Sequence, residues 1–165
     1  MTEQLSPVEV TSFATRFYET GSRALLPHGA LLGQVAGDQV EAIFVPGLAT
    51  AEYRRGAVRA ARALLEALGY GSPEGSWVQV GIGIASGEEF VGNVVGGGYK
   101  DFAAIGDVTN TAARLTSVAK SGEVIVDAET YAAVGDQYPE AEPLELELKG
   151  KQAPVSCYTI RMGSP

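Results

Sequence analysis

Residues Phe102 to Leu115 read Phe-Ala-Ala-Ile-Gly-Asp-Val-Thr-Asn-Thr-Ala-Ala-Arg-Leu, an apolar run that breaks at a glycine and becomes a helix. A helix starting near Asp107 places Asn110 and Arg114 four residues apart. Both then project from one face near the helix's positive end. An amide and a guanidinium in that position suit the binding of an anion.

Downstream of this stretch the helix closes at Ser121-Gly122, and Glu123-Val-Ile-Val reads as a strand. Ala128 to Val134 is a short helix, and Leu144 to Leu148 and Val155 to Arg161 are paired strands around Lys149-Gly-Lys-Gln. Upstream, Trp77 to Ala85 alternates as a strand, with Phe90 to Val95 as its hairpin partner. Gly69 to Ser76 is a loop, and Thr50 opens a helix that ends near Leu68. Gly29-Ala-Leu-Leu-Gly-Gln-Val-Ala and Gln39-Val-Glu-Ala-Ile-Phe-Val are strands joined by Gly37-Asp38, a strong hairpin signal. Ser6-Pro7-Val8-Glu9 is a capping box with proline at the first helical position, and Val10, Phe13, Ala14 and Phe17 follow at helical spacing. That predicts a first helix from Pro7 to about Leu25. Helices among mostly hairpin-linked strands predict an α+β sandwich, one layer of sheet and one of helix.

At 165 residues and 45% hydrophobic content the chain has enough core for one domain spanning 1–165. A net charge of -8 and a pI near 4.6 exclude a nucleic-acid backbone or an anionic membrane surface as the main partner. The lone Cys157 can form no intrachain disulfide, and there is neither a leader nor an apolar run of spanning length. The expectation is a cytoplasmic protein with no membrane insertion.

The segments Val80-Gly-Ile-Gly-Ile-Ala-Ser-Gly-Glu, Val91-Gly-Asn-Val, Ile105-Gly-Asp-Val-Thr-Asn-Thr-Ala-Ala-Arg-Leu, Ser121-Gly-Glu-Val-Ile-Val and Leu148-Lys-Gly-Lys resemble, in order and spacing, the class III adenylate/guanylate cyclase catalytic domain. Gly37-Asp38-Gln-Val-Glu-Ala-Ile-Phe resembles that family's hairpin, and the resemblance runs from about Pro7 to Ile160. It implies a ferredoxin-like βαββαβ-type sandwich with a mostly antiparallel sheet and helices on one face. It also implies conversion of a nucleoside triphosphate, ATP or GTP, to a 3′,5′-cyclic nucleotide and pyrophosphate. Such phosphoryl transfer needs positioning and charge neutralisation. In the family two carboxylates hold two divalent ions, Mg2+ or Mn2+.

The resemblance maps Asp38 onto one metal carboxylate, although a Gly-Asp turn by itself is ordinary hairpin chemistry. The other family carboxylate sits on a central first strand that would lie before Met1. Glu3 is the only acid ahead of the capping box, and nothing apolar surrounds it. By the same mapping Asn110 orients the ribose, Arg114 stabilises charge on the phosphate and Lys149 contacts the triphosphate, with Lys151 a weaker candidate. The purine-selecting positions hold Gln34 and Ala103, and alanine cannot hydrogen-bond a base edge, so base selection should be weak. His28 reads as a turn residue, Cys157 as a small buried hydrophobe, and Trp77 and Tyr99 as packing residues.

Three functions follow from the resemblance: a cyclase whose sites form between two head-to-tail chains, a regulatory or dimerisation module, or a complementing subunit of a heterodimeric cyclase. With one metal carboxylate accounted for, the isolated chain should turn over poorly. The neighbours of the missing strand must close on each other or take a strand from another chain, because buried unpaired backbone groups are costly.

Overall fold

The computed structural model describes residues 6–36, 39–47, 52–96, 99–147 and 153–161. Helix α1 (Pro7–Leu25) starts where the capping box puts it: the Ser6 hydroxyl accepts from Glu9 N, and Ser6 N donates to Glu9 Oε2 at 2.8 Å. Its C-terminal half buries Phe17, Gly21, Ala24 and Leu25 against α2 (Tyr53–Ala67). Helix α2 starts at Tyr53 rather than Thr50, with no side-chain cap. Gly56, Ala57, Ala60 and Ala61 keep its buried flank thin, so neighbours approach closely.

The larger sheet has the order β3 (Ile82–Ile84), β6 (Glu123–Asp127), β8 (Val155–Arg161), β7 (Glu142–Leu146). The other strands form two antiparallel hairpins, β1 (Leu31–Ala36) with β2 (Gln39–Ile43) and β4 (Phe90–Gly96) with β5 (Tyr99–Ile105). The architecture is an α+β sandwich with mostly antiparallel pairing; among the described strands only β3 and β6 run parallel. Strand alternation splits the core of β6. Val124 and Val126 pack with Val58, Ala61 and Leu65 of α2 and Val134 of α4 (Ala128–Val134), whereas Ile125 packs with Cys157 and with Leu115 of α3 (Asp107–Val118). Helix α3 therefore covers the opposite face of this sheet from α2 and α4.

The same alternation explains the glycines of Gly81-Ile-Gly-Ile. Ile82 and Ile84 face the α2 side, and α3 lies directly on Gly81 and Gly83, where a methyl group would overlap the Ala119 carbonyl and the backbone of Ala112 and Thr116.

Two sequence expectations are corrected here. The strand expected over Trp77 to Ala85 is realised only as Ile82–Ile84, because the Tyr70 hydroxyl takes the backbone groups before it. Val80 N donates to that hydroxyl at 2.7 Å, and Val78 O accepts from it at 3.2 Å. Gly122 N takes the Val80 carbonyl at 2.9 Å. The hairpin partner of β4 is β5, in register from Phe90↔Ile105 to Gly96↔Tyr99, and not the strand before it. Strand β3 is held by β6 on one side, and Gly83 N donates to Thr116 Oγ1 at 3.0 Å.

Strands β2 and β3 belong to different sheets, so the neighbours of the expected central strand do not close on each other. Helices α1 and α2 span the interval: Phe17, Ala60, Leu64 and Leu68 pack with Leu32, Val40 and Ala42 of the hairpin and also with Val80 and Ile82.

Candidate functional site

Gly106, the residue before α3, has no side chain to cap the first turn. Glu89, on the turn between β3 and β4, does so from a distance. Its Oε1 and Oε2 accept from Thr109 N at 2.9 and 3.1 Å, and Oε2 accepts from Thr109 Oγ1 at 2.7 Å. This is the bond that a residue directly before the helix normally supplies to its third amide. The positive end proposed above for an anion is thus already occupied by a protein carboxylate.

Helix α3 turns Thr111 and Leu115 inward, both buried. The neighbouring stripe points outward and carries Asn110, exposed, and Arg114, half-buried. Among the described residues no side chain pairs with the Arg114 guanidinium. Its stem is set by the helix, and its carbonyl accepts from Ser117 Oγ at 2.7 Å. A planar guanidinium that no described side chain engages, one turn beyond an exposed amide, can grip a phosphate through two oxygens while the amide takes a hydroxyl.

Ala103, half-buried, lies on β5 opposite Gly92, one short connection ahead of α3. Gln34 lies on β1, which runs beside β5, so the two purine positions fall on neighbouring strands; the Gln34 side chain is outside the described residues. Asp38, Lys149 and Lys151 also fall outside the described residues. The structure therefore puts Asn110 and Arg114 on one face of α3 and Ala103 and Gln34 on the neighbouring strands β5 and β1, and leaves the metal and triphosphate positions undescribed. Among the described residues no group of three or more His, Cys, Asp and Glu side chains could hold a metal ion.

The bland readings of the other residues fit the structure. Cys157 is 1% exposed, and burial, followed by the nearby Asp127 and Glu145 carboxylates, pushes its thiol up to about 11. Trp77 stacks edge-on with Phe13 and lies under the Arg16 guanidinium at 4.0 Å, which docks α1 on the loop. The Tyr99 side chain is outside the described residues. A shallow cleft lined by Glu52, Arg54, Arg55, Ala132 and Ala133 looks basic in sequence, but Arg54 pairs with Glu129 and Arg55 with Asp136. Each guanidinium has a carboxylate partner within the fold, although Arg54 Nε is buried without an acceptor. Glu89 is the residue that sequence reading missed: side-chain caps are sought next to a helix in sequence, and this one comes from twenty residues earlier.

The fold agrees with that of known proteins. The family model for the adenylate and guanylate cyclase catalytic domain matches residues 45–162. An uncharacterized protein of Mycobacterium tuberculosis is 34% identical over 112 residues, which are 68% of this chain and 20% of that protein. The chain thus spans about a fifth of that relative's length. Among solved structures, the guanylyl cyclase Cya2 superposes with a TM-score of 0.84 at 23% identity, covering 99% of this chain and 86% of that one. The guanylate cyclase domain of RhGC from Catenaria anguillulae, solved in complex with GTP, gives a TM-score of 0.84 at 20% identity, covering 98% and 89%. The order of strands and helices, the α3 motif and the matched span of 45–162 lead to one conclusion: this chain belongs to the adenylate and guanylate cyclase catalytic domain family.

Proposed function

We propose that the chain binds a nucleoside triphosphate, ATP or GTP, as one half of a cyclase site that a second cyclase domain completes. The observation that carries this reading is the outward stripe of α3, where Arg114, paired with no side chain among the described residues, stands one turn beyond Asn110, on the helix that follows the strand of Ala103. In the reaction the ribose 3′-hydroxyl attacks the α-phosphate and pyrophosphate leaves. Asn110 holds the ribose so that this oxygen is aimed at phosphorus. Arg114 offers two parallel donors to the charge growing on the phosphate oxygens. Lys149 adds a charge on the triphosphate, and Asp38 is the carboxylate for a divalent ion. Mg2+ or Mn2+, when bound, supplies charge neutralisation and a more acidic attacking hydroxyl. Ala103 cannot donate or accept, so the base is held loosely and ATP and GTP are poorly discriminated.

The exposed cross-strand pair Phe90 and Ile105, at 58% and 53% exposure, supports docking of a second cyclase domain, identical or different, beside this site. No described helix is long and apolar enough to cross a membrane. We place the protein in the cytoplasm, where nucleoside triphosphates are available.

Calorimetry with Mn2+ and millimolar ATP or GTP tests the binding claim: weak but measurable heat is expected, and none from a folded sample would overturn it. Turnover by the 165-residue chain alone should lie near background, because half of a composite site lacks part of the groups that stabilise the transition state. Robust cyclic nucleotide production would overturn the complementing role.

A further inference from the structure

We infer that Glu89 is a positioning residue, a clamp that fixes the opening turn of α3 and with it the placement of Asn110 and Arg114. This rests on the nucleotide-site reading above and adds to it a residue that no motif marks. The carboxylate spends both oxygens on one residue, taking the backbone N–H of Thr109 and also its hydroxyl, at 2.7 to 3.1 Å. Thr109 immediately precedes Asn110, and Arg114 follows one turn later on the same stripe.

The surroundings are shaped for this reach. Gly106 leaves room for it, since a Cβ there would lie 2.8 Å from Glu89 Oε1 and 3.0 Å from its Cγ. Gly87 allows the turn to press on α3, with a Cβ position 2.8 Å from Val108 Cγ2. A carboxylate is the favoured charge at a helix's positive end. Because Glu89 directly precedes Phe90, the clamp ties α3 to the root of the β4–β5 hairpin, which carries Ala103 and the exposed Phe90 and Ile105 pair. It also answers the charge of the helix end, so that an incoming phosphate is left to the Arg114 side chain.

The test uses the full chain with Glu89→Ala, Glu89→Gln and Gly106→Ala, first without nucleotide. Residue-resolved hydrogen exchange should quicken about tenfold at the Thr109 and Asn110 amides in Glu89→Ala and Gly106→Ala, the scale of losing a helix cap. Glu89→Gln keeps an acceptor and should stay within about threefold of the parent. Amides of β6 and β8 should not change. Unaltered exchange at Thr109 would overturn the clamp, and so would acceleration spread through β6 and β8, the mark of a general fold support. The second arm measures affinity for Mn2+ with ATP by calorimetry. Glu89→Ala should weaken it about fivefold in the parent and not at all in an Asn110→Ala, Arg114→Ala background, where nothing is left to position. An equal loss in both backgrounds would overturn positioning. If the parent chain binds no nucleotide while the exchange arm behaves as expected, the clamp on α3 stands and the nucleotide reading falls.

Discussion

The four-stranded sheet and the β1–β2 hairpin share the cover of α2, yet they are buried to different depths. In the sheet Val124, Val126 and Ile125 are at most 2% exposed and both faces are covered, by α2 and α4 on one side and α3 on the other. In the hairpin Leu32, Val40 and Ala42 are only half-buried, and Ile43 is its one fully buried residue among those described. The sheet is also cross-tied by polar groups. Asp127 accepts from Ser86 N at 2.9 Å and Thr130 N at 2.8 Å, and the Ser86 and Thr130 hydroxyls meet at 2.7 Å. The hairpin has its own ladder and the apolar cover of α1 and α2. In the proposed site, Asn110 and Arg114 therefore belong to the firm half and Gln34 to the shallower one.

The largest effect should come from the firm half. Leu65, fully buried between α2 and β6, should cost about 3 to 5 kcal/mol on Leu65→Ala, read from urea unfolding. Gly83→Ala should follow at roughly 2 to 3 kcal/mol, because the new methyl meets backbone of α3 rather than a side chain that can swing away. Leu32→Ala, on the half-buried hairpin, should cost only about 1 to 2 kcal/mol, in proportion to the smaller area it removes from water. If Leu32→Ala were as damaging as Leu65→Ala, the contrast between the halves would be wrong.

Many of the elements were legible in the sequence, and the reason is local. The capping box Ser6-Pro7-Val8-Glu9 sets its own helix start, and the strand read over Val155 to Arg161 is realised over those same residues. What was not legible depends on distant partners. Trp77 to Val80 has strand-like alternation, but a tyrosine hydroxyl from Tyr70 displaces the ladder. Strand β5 is Tyr99–Ile105, and its polar start, Lys100-Asp101, hid its pairing with β4. Glu89 was invisible for the same reason: its role exists only once α3 lies beside the turn that bears it. Spacing put Asn110 and Arg114 on one helix face, their proposed roles came from the resemblance, and the approach of β1 to β5 could not be read from either.

A smaller effect sharpens the account of the sheet's second face. The Cys157 thiol titrates at about 11 in the fold, against an ordinary value near 8.5 once unfolded. Above pH 9 the unfolded chain loses this proton first, so stability should decline between about pH 9 and 11 through this group. The Cys157→Ala variant should lack that part of the decline. Thiol reagents should modify native Cys157 far more slowly than the unfolded chain at pH 7.5. Rapid native labelling would contradict its burial against Ile125 and Leu115.

The smallest stability effects are expected at the site itself, since outward residues contribute little to folding. Asn110→Ala and Arg114→Ala should each shift stability by no more than about 0.5 kcal/mol while weakening nucleotide binding several-fold. The most direct measurement is a nuclear magnetic resonance titration of the chain with Mg2+ and ATP, followed residue by residue and repeated with GTP. The account predicts shifts gathered at Asn110, Arg114 and the start of α3, extending to Ala103 on β5, similar for the two nucleotides and lost in Arg114→Ala. Shifts centred on Arg54 and Arg55, or no shifts along α3 at millimolar nucleotide, would contradict it.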